Sequence, residues 1–291
     1  MFEGFSLDNV DIGEIEVRVR VGGVGPPLLL LHGNPQTHVM WHKVAPALAE
    51  RFTVIAPDLR GYGRSSKPPT TSDHLAYSKR AMAMDQIALM ESLGHDRFSV
   101  AGHDRGGRVA YRLALDHPGV VEKLAVLDII PTSEAFDRGG REFGLSLYHW
   151  FFMAQPAPLP EKLIGSDPDW FWRWHTTRGP DTSFFDSDAI DDYLDAFRDP
   201  ETIRGICEDY RAGATIDYEH DSADKAANRR IECPLLVLWG GNSKPAGWYD
   251  TLDVWRGWAD DVEGRSLPCG HYLAEEAPQE TAGELIAFFG S

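Results

Sequence analysis

A short segment of this chain, Gly102-His103-Asp104-Arg105-Gly106-Gly107, limits how the residues around it can fold. An apolar stretch at residues 98–101 precedes the segment, and a helical pattern at residues 105–115 follows it. Glycines two residues on either side of Asp104 allow a turn that is too tight and strained for larger side chains. The pattern Gly-x-Asp-x-Gly therefore predicts a sharp strand-to-helix turn that presents Asp104 at the end of a buried strand. An Asp that only caps the following helix is the simpler alternative.

Strand and helix patterns alternate on both sides of this turn. The predicted strands cover residues 15–21, 28–31, 53–56, 98–101, 124–127 and 234–240 and a segment near Arg265. The predicted helices cover residues 38–50, 78–93 and 105–115 and a last helix that ends at Gly290. The short continuous apolar runs are typical of strands that are buried on both faces. Repeated strand–helix units predict an α/β fold with a mostly parallel sheet flanked by helices.

The strand pattern is missing between residues 132 and 225. This stretch is helical in pattern and rich in aromatic residues, including Tyr148-His149-Trp150-Phe151-Phe152 and Trp170-Phe171-Trp172. We predict a core domain formed by residues 1–131 and 226–291. A helical cap domain at residues 132–225 is inserted into this core and is expected to cover the sheet.

The composition excludes some classes of partner. The chain has 291 residues and a formal net charge of −17, which argues against binding to nucleic acid or to anionic membrane surfaces. The three cysteines, Cys207, Cys233 and Cys269, have no metal-ligand spacing, and their odd number fits a reducing compartment. Neither a signal peptide nor an apolar run of membrane-spanning length is apparent. We predict a soluble cytoplasmic protein.

Two further residues would complete a catalytic triad with Asp104 as the nucleophile. A carboxylate in this turn attacks esters poorly but can displace a leaving group from saturated carbon. His271 follows the last strand, where it could take a proton from water and so release the resulting aspartyl ester. Residues 241–244 contain no carboxylate, whereas Asp128 follows the strand after the turn. We therefore predict that Asp128 orients His271, and capping of the next helix is its alternative role.

Groups around Asp104 are predicted to bind the reacting molecule. The backbone N–H groups of Asn34 and Arg105 are expected to form an oxyanion hole. Arg105 and Arg108 lie three residues apart, on one helix face beside Asp104. Two arginines in this position predict a negatively charged substrate. An acid of about five heavy atoms makes few contacts, so it needs charge-assisted hydrogen bonds to its carboxylate to reach micromolar affinity. Ordinary helix-surface charges are the alternative.

Four motifs resemble those of the fluoroacetate dehalogenases, a haloacetate-dehalogenase family of α/β-hydrolases. They are His103-Asp104-Arg105-Gly106-Gly107-Arg108, Asp128-Ile129-Ile130-Pro131, His149-Trp150 with Gln155-Pro156-Ala157-Pro158, and Asp209-Tyr210-Arg211-Ala212-Gly213. The resemblance covers nearly the whole chain and implies the α/β-hydrolase fold, with an eight-stranded, mostly parallel sheet and a helical cap. It also implies a homodimer that needs no cofactor and no metal.

The same resemblance implies roles for individual side chains. Arg105 and Arg108 would hold the carboxylate of the substrate. His149, Trp150 and Tyr210 would donate hydrogen bonds to the departing fluoride. Fluoride is a poor leaving group because its charge is concentrated, so several donors in a dry pocket suit it. Packing within the cap is the alternative role for the His149-Trp150 pair.

The residues together predict hydrolytic dehalogenation of a short 2-haloacid, with conversion of fluoroacetate to glycolate and fluoride as the leading case. Epoxide hydrolysis by the same Asp nucleophile and a non-catalytic receptor for small acids are the two alternatives. The arginine pair suits an acid better than a neutral epoxide. Candidates for all three triad positions favour an enzyme over a receptor.

Several roles stay open at this point. Asn34 follows His32-Gly33 as in haloalkane dehalogenases, where that Asn helps to bind halide, but Arg105 stands where those enzymes have Trp. Trp172 and Trp174 could line an entry path or pack the cap. Tyr218 lies close to Tyr210 in sequence and is the alternative tyrosine. The preferred halide and the size limit of the acid are also open.

Overall fold

Eight strands form a single sheet in the computed structural model, which describes residues 1–177, 183–243 and 247–291. The strands are β1 (Ser6–Asp11), β2 (Glu16–Gly22), β3 (Pro27–Leu31), β4 (Thr53–Pro57), β5 (Phe98–His103), β6 (Val121–Leu127), β7 (Leu235–Gly240) and β8 (Val262–Leu267). Their order across the sheet is β1-β2-β4-β3-β5-β6-β7-β8. The β1–β2 and β2–β4 pairs are antiparallel, and the other pairs are parallel. The predicted eight-stranded, mostly parallel sheet is confirmed.

The central strands are buried, as their continuous apolar runs predict. Every side chain from Leu28 to Leu31 in β3 is fully buried, and β3 lies between β4 and β5. The sequence patterns missed β1, because its residues are mostly polar and exposed. β1 lies at the edge of the sheet and pairs with β2 alone, so it needs no apolar run of this kind.

Helices flank the sheet, and eight of them follow one another in the chain segment that connects β6 to β7. They are α1 (Ala45–Ala49), α2 (Lys79–Ser92), α3 (Asp104–Asp116), α4 (Thr132–Asp137), α5 (Arg141–Ser146), α6 (His149–Met153), α7 (Leu159–Gly165), α8 (Pro168–Thr177), α9 (Ser187–Phe197), α10 (Pro200–Ala214), α11 (Ile216–Ala226), α12 (Thr251–Arg256), α13 (Leu273–Glu276) and α14 (Pro278–Phe289). The helices α4 to α11 lie in the part of the chain that was predicted as a cap. Within the described ranges, no helix is long and apolar enough to cross a bilayer.

The predicted helix at residues 38–50 is wrong in part. The structure has a 3-10 turn at His38–Trp41, followed by the separate helix α1. Pro46 lies in the first turn of α1. Proline has no N–H to donate to a preceding turn and fits only at the start of a helix, so a new helix begins here.

Buried polar contacts attach the helices of the chain segment that connects β6 to β7 to the rest of the fold. Arg112 of α3 donates to Asp221 of α11 over 2.7 Å and also to Asp224, and all three side chains are buried. Thr37 donates to Asp192 of α9 over 2.6 Å. Removing one partner of a buried ion pair leaves an uncompensated charge, which is costly. These contacts therefore join α11 to α3, and α9 to the segment that follows β3.

The turn between β5 and α3 is sterically crowded. Asp104 has a φ of 44°, in the left-handed region that residues other than glycine rarely adopt. A Cβ atom on Gly102 would lie 2.4 Å from the carbonyl oxygen of Gly106, and one on Gly106 would lie 2.4 Å from that of His32. The glycines therefore let β3, β5 and α3 approach closely enough to hold Asp104 in its conformation.

We expect Gly106→Ala to lower the free energy of unfolding by about 2–3 kcal/mol, because the added methyl group meets rigid backbone. The matched control is Gly144→Ala in α5, where an added Cβ has nothing within 4 Å. Alanine in that open helical position is expected to stabilise by about 0.5–1 kcal/mol. Urea unfolding measures both changes, and equal stability of the two variants would contradict the crowding.

Candidate active site

A cavity of about 320 Å³ lies at the carboxyl ends of the parallel strands, where α/β sheets bind their ligands. Its lining combines residues that follow β3, β5, β6, β7 and β8 with residues of the α4–α10 region. The predicted site residues that line it are Asn34, Asp104, Arg108, Asp128, His149, Trp150, Tyr210 and His271. In the described ranges, no group of three or more His, Cys, Asp or Glu side chains is arranged to hold a metal ion.

Asp104 is buried and faces the cavity. The backbone N–H of Asn34 donates to Asp104 Oδ2 over 3.1 Å. The N–H of Arg105 belongs to the first turn of α3, where backbone donors have no partner within the helix. Burial acts to raise the pKa of Asp104, but the charges of His271, Arg105 and Arg108 outweigh it and hold that pKa below its usual value. The carboxylate is therefore ionised, which is the form that a nucleophile requires.

His271 and Asp128 form a hydrogen-bonded pair beside this carboxylate. His271 Nδ1 donates to Asp128 Oδ2 over 2.6 Å, and Asp128 Oδ1 accepts from the backbone N–H of Gly240 and the hydroxyl of Ser243. Burial acts to lower the pKa of His271, but the hydrogen bond and the charge of Asp128 raise it above its usual value. Asp128 occupies Nδ1, so Nε2 is the ring nitrogen that can exchange a proton with the cavity. The sequence predicted Asp128 because residues 241–244 contain no carboxylate; Lys244, the last of these residues, lies outside the described ranges.

His103 also supports the site, although the sequence patterns did not identify it. Its Nε2 donates to the backbone carbonyl oxygen of His271 over 2.8 Å, and the two ring centroids are 4.6 Å apart. Burial and the neighbouring His271 lower the pKa of His103 to about 4. The ring is therefore neutral near pH 7 and holds His271 without adding a second positive charge. Its position directly before Asp104 is the signal that could have revealed it.

Arg108 is a buried cation that opens onto the cavity. Its Nη1 donates to the backbone carbonyl of Ile130 and to the hydroxyl of Thr132, each over 3.1 Å. Its guanidinium carbon lies 4.4 Å from the ring centroid of Trp150. Among the described residues, its buried Nε has no hydrogen-bond partner, and no carboxylate forms an ion pair with Arg108. An anion in the cavity would supply the missing partner.

The contacts of Arg105 differ from the prediction that both arginines bind the substrate carboxylate. Its Nε and Nη2 donate to the carboxylate of Asp209 over 2.8 and 2.7 Å, and both residues are fully buried. Lys79 and Tyr62 also donate to Asp209. Burial acts to raise the pKa of Asp209, but the charges of Arg105 and Lys79 lower it. Most of the Arg105 guanidinium is thus used within the protein: Nη1 alone donates to no described residue, and Arg105 is not among the described residues that line the cavity.

The three predicted halide donors all line the cavity. His149 and Trp150 lie in α6, and Tyr210 lies in α10. The ring centroids of His149 and Tyr210 are 5.8 Å apart, and the rings are nearly perpendicular. Burial and the charge of Asp104 raise the pKa of Tyr210 well above its usual value. The phenol therefore keeps the proton that it could donate to a leaving group.

His175 of α8 is a cavity residue that no sequence pattern indicated. Its Nε2 lies 3.0 Å from the side-chain nitrogen of Asn34. Its ring stands at 86° to that of His149, with the centroids 4.4 Å apart. A single histidine in a helix of aromatic residues has no spacing that points to a site, so only the folded chain reveals its position.

Three aromatic residues whose roles were open do not line this cavity in the described ranges. Trp172 is fully buried, and its Nε1 donates to the backbone carbonyl of Pro35 over 3.0 Å. Trp174 is 44 % exposed and stacks on a neighbouring tryptophan. The hydroxyl of Tyr218 donates to Asp137. Trp172 therefore packs within the fold, and of Tyr210 and Tyr218 it is Tyr210 that lines the cavity, together with Tyr249 and Tyr272.

Known proteins resemble this chain in sequence over almost its whole length. A fluoroacetate dehalogenase from a Burkholderia species is 47 % identical, over 99 % of this chain and 95 % of its own length. A soluble epoxide hydrolase from Corynebacterium sp. strain C12 is 37 % identical, over 92 % of this chain and 91 % of its own length.

Structural comparison and a family model agree with these sequence matches. A solved protein from Nostoc sp PCC 7120, assigned to the alpha/beta hydrolases, is 52 % identical and superposes with a TM-score of 0.97 over 99 % of both chains. The model of the alpha/beta hydrolase fold family matches residues 26–278. The chain therefore belongs to the α/β-hydrolase family and, within it, to the haloacetate dehalogenases.

Proposed function

We propose that this protein hydrolyses the carbon–halogen bond of short 2-haloacids, and that fluoroacetate is converted to glycolate and fluoride. One observation carries the proposal: the guanidinium of Arg108, which has no ion pair with a carboxylate among the described residues, and the ionised carboxylate of Asp104 line the same buried cavity. A 2-haloacid offers a carboxylate to the first group and an electrophilic α-carbon to the second. The relative from Burkholderia, a fluoroacetate dehalogenase, supports the same assignment.

In the first step, a carboxylate oxygen of Asp104 forms a bond to the α-carbon of the substrate. The carbon–halogen bond breaks at the same time, and its electron pair leaves on the halide. Arg108 and Nη1 of Arg105 hold the substrate carboxylate, so that the α-carbon lies within reach of Asp104. Both arginines are rigid because each is buried and hydrogen-bonded to the protein.

The leaving halide is stabilised by hydrogen bonds from His149, Trp150 and Tyr210. These side chains line the same cavity as Asp104, and each has an N–H or O–H group that can donate. A concentrated negative charge develops on fluoride as the carbon–fluorine bond breaks. Preorganised donors in a buried site stabilise such a charge more than water does, because they need not reorient.

Conversion of the Asp104 carboxylate to an ester removes one of the negative charges that raise the pKa of His271, so that His271 can release a proton to solvent. In the second step, the neutral His271 takes a proton from water, and the resulting hydroxide attacks the carbonyl carbon of the Asp104 ester. The oxyanion that forms accepts hydrogen bonds from the N–H groups of Asn34 and Arg105. Collapse of this intermediate breaks the ester bond, releases the 2-hydroxyacid and restores the Asp104 carboxylate. Asp128 stabilises the positive charge that His271 gains.

Epoxide hydrolysis is the second candidate, because the Corynebacterium relative is a soluble epoxide hydrolase. It would use Asp104 as the nucleophile and the protonated Tyr210 as a donor to the epoxide oxygen. A neutral epoxide would leave Arg108 buried without a counter-charge, which is unfavourable. Parallel assays of fluoroacetate and styrene oxide separate the two functions.

We expect His271→Asn to trap the ester intermediate, because the variant can complete the first step but has no base for the second. Incubation with fluoroacetate should release one fluoride per protein and add one carboxymethyl group to Asp104, as peptide mass spectrometry would detect. The matched control is the double variant Asp104→Asn, His271→Asn, which should remain unmodified. Normal turnover by His271→Asn would contradict the scheme, and binding without halide release by the unaltered protein would favour a receptor.

We expect Arg108→Gln to raise the KM for fluoroacetate by about 10- to 100-fold, because charge-assisted hydrogen bonds to the substrate carboxylate are lost. Steady-state kinetics of fluoride release measures the effect. Arg141→Gln is the control, since Arg141 is exposed at the protein surface and its loss should leave KM unchanged. An unaltered KM in Arg108→Gln would rule out this arginine as the anchor.

A further inference from the structure

The side-chain amide of Asn34 connects two cavity residues from different helices. Asn34 Nδ2 lies 3.0 Å from His175 Nε2 in α8 and 3.3 Å from the hydroxyl oxygen of Tyr210 in α10. The backbone N–H of the same residue donates to Asp104. Asn34 is 2 % exposed, so water does not compete freely for these contacts. One core residue thus contacts the nucleophile and both helices.

The chemistry of the amide gives these contacts a direction. In the structure, Nδ2 faces both partners, and Oδ1 has no hydrogen-bond partner among the described residues. An NH₂ group can only donate, so in this orientation His175 Nε2 is the unprotonated nitrogen that accepts. The Tyr210 oxygen likewise accepts from Asn34, so its own proton is available to a ligand in the cavity that Tyr210 lines. The raised pKa of Tyr210 agrees with a phenol that keeps this proton.

The opposite arrangement would remove a donor from the cavity. If His175 Nε2 carried a proton, the amide of Asn34 would turn so that its oxygen faced both partners. Tyr210 would then donate its only proton to Asn34 and could not donate to a halide. The direction of the Tyr210 proton therefore depends on which of the two ring nitrogens of His175 is protonated.

We propose that His175 is a positioning residue that, through Asn34, aims the Tyr210 proton at the leaving halide. The proposal rests on the function proposed above. The imidazole is held in place by its neighbours: it lies parallel to Phe171, at 6.0 Å between centroids, and perpendicular to His149 at 4.4 Å. His175 acts here without touching the reacting atoms.

This arrangement should matter more for fluoride than for bromide. Fluoride concentrates its charge and depends strongly on hydrogen-bond donors as it leaves, whereas bromide is large and leaves readily. Misdirecting the Tyr210 proton should therefore slow cleavage of the carbon–fluorine bond selectively. A residue that only maintains the shape of the cavity would affect both halides to a similar degree.

The test compares kcat/KM for fluoroacetate and bromoacetate in His175→Phe, which keeps a ring against Phe171 but has no acceptor. The ratio kcat/KM reports on steps up to the irreversible carbon–halogen cleavage. We expect a loss of about 10-fold or more for fluoroacetate and a loss several-fold smaller for bromoacetate. His175→Gln, which supplies an acceptor oxygen, should restore part of the fluoroacetate activity. Trp174→Phe is the matched control in the same helix, at an exposed side chain outside the cavity lining.

Equal losses for the two halides, or no loss, would overturn the positioning role. Nitrogen-15 NMR of His175 in the unaltered protein gives a second test that does not depend on turnover, and a protonated Nε2 would also overturn the proposal. If the unaltered protein released neither halide, the proposed function would fail. The NMR result would still decide the direction of the Asn34 hydrogen bonds.

Discussion

The Asp104 carboxylate must stay ionised although it is buried, and this requirement organises the charges around it. An isolated buried charge is strongly unfavourable, so compensating positive groups are needed close by. His271 and Arg105 supply part of that compensation, and each is paired in turn with its own carboxylate, Asp128 or Asp209. The left-handed backbone at Asp104 and its flanking glycines bring the carboxylate to the point where these charges converge.

Arg108 is the exception to this pattern of pairing, and in the proposed function it favours an acid over a neutral epoxide. Its guanidinium contacts a carbonyl, a hydroxyl and an aromatic ring, but no carboxylate in the described part of the chain. A bound acid would complete the local charge balance, whereas a neutral epoxide would not. In the proposed function, the substrate class is therefore selected by Arg108 and not by the nucleophile alone.

Much of the fold could be predicted because its signals are local. Continuous apolar runs indicated β3 to β7, and the glycine pattern indicated the turn at Asp104. The acid was found by elimination, since residues 241–244 have no carboxylate, and in the structure Asp128 contacts His271. The edge strand β1 was missed because it carries no such apolar run.

The remaining features depend on contacts between distant parts of the chain. Asp209 lies 104 residues from Arg105, and a spacing of three between two arginines could not show that one of them was already paired. His175 lines the cavity because the fold places α8 beside Asn34, which lies 141 residues away in the sequence. The division into a core at residues 1–131 and 226–291 and a cap at residues 132–225, the homodimer and the absence of a cofactor stay predictions.

The central claim is that Asp104, and not water, attacks the α-carbon. A single-turnover reaction in water enriched with oxygen-18, with enzyme in excess over fluoroacetate, tests it most directly. The account predicts that the first glycolate carries an unlabelled hydroxyl oxygen taken from Asp104, and that the label appears in the Asp104 carboxylate. Label in the hydroxyl of that first glycolate, with none in Asp104, would contradict the account.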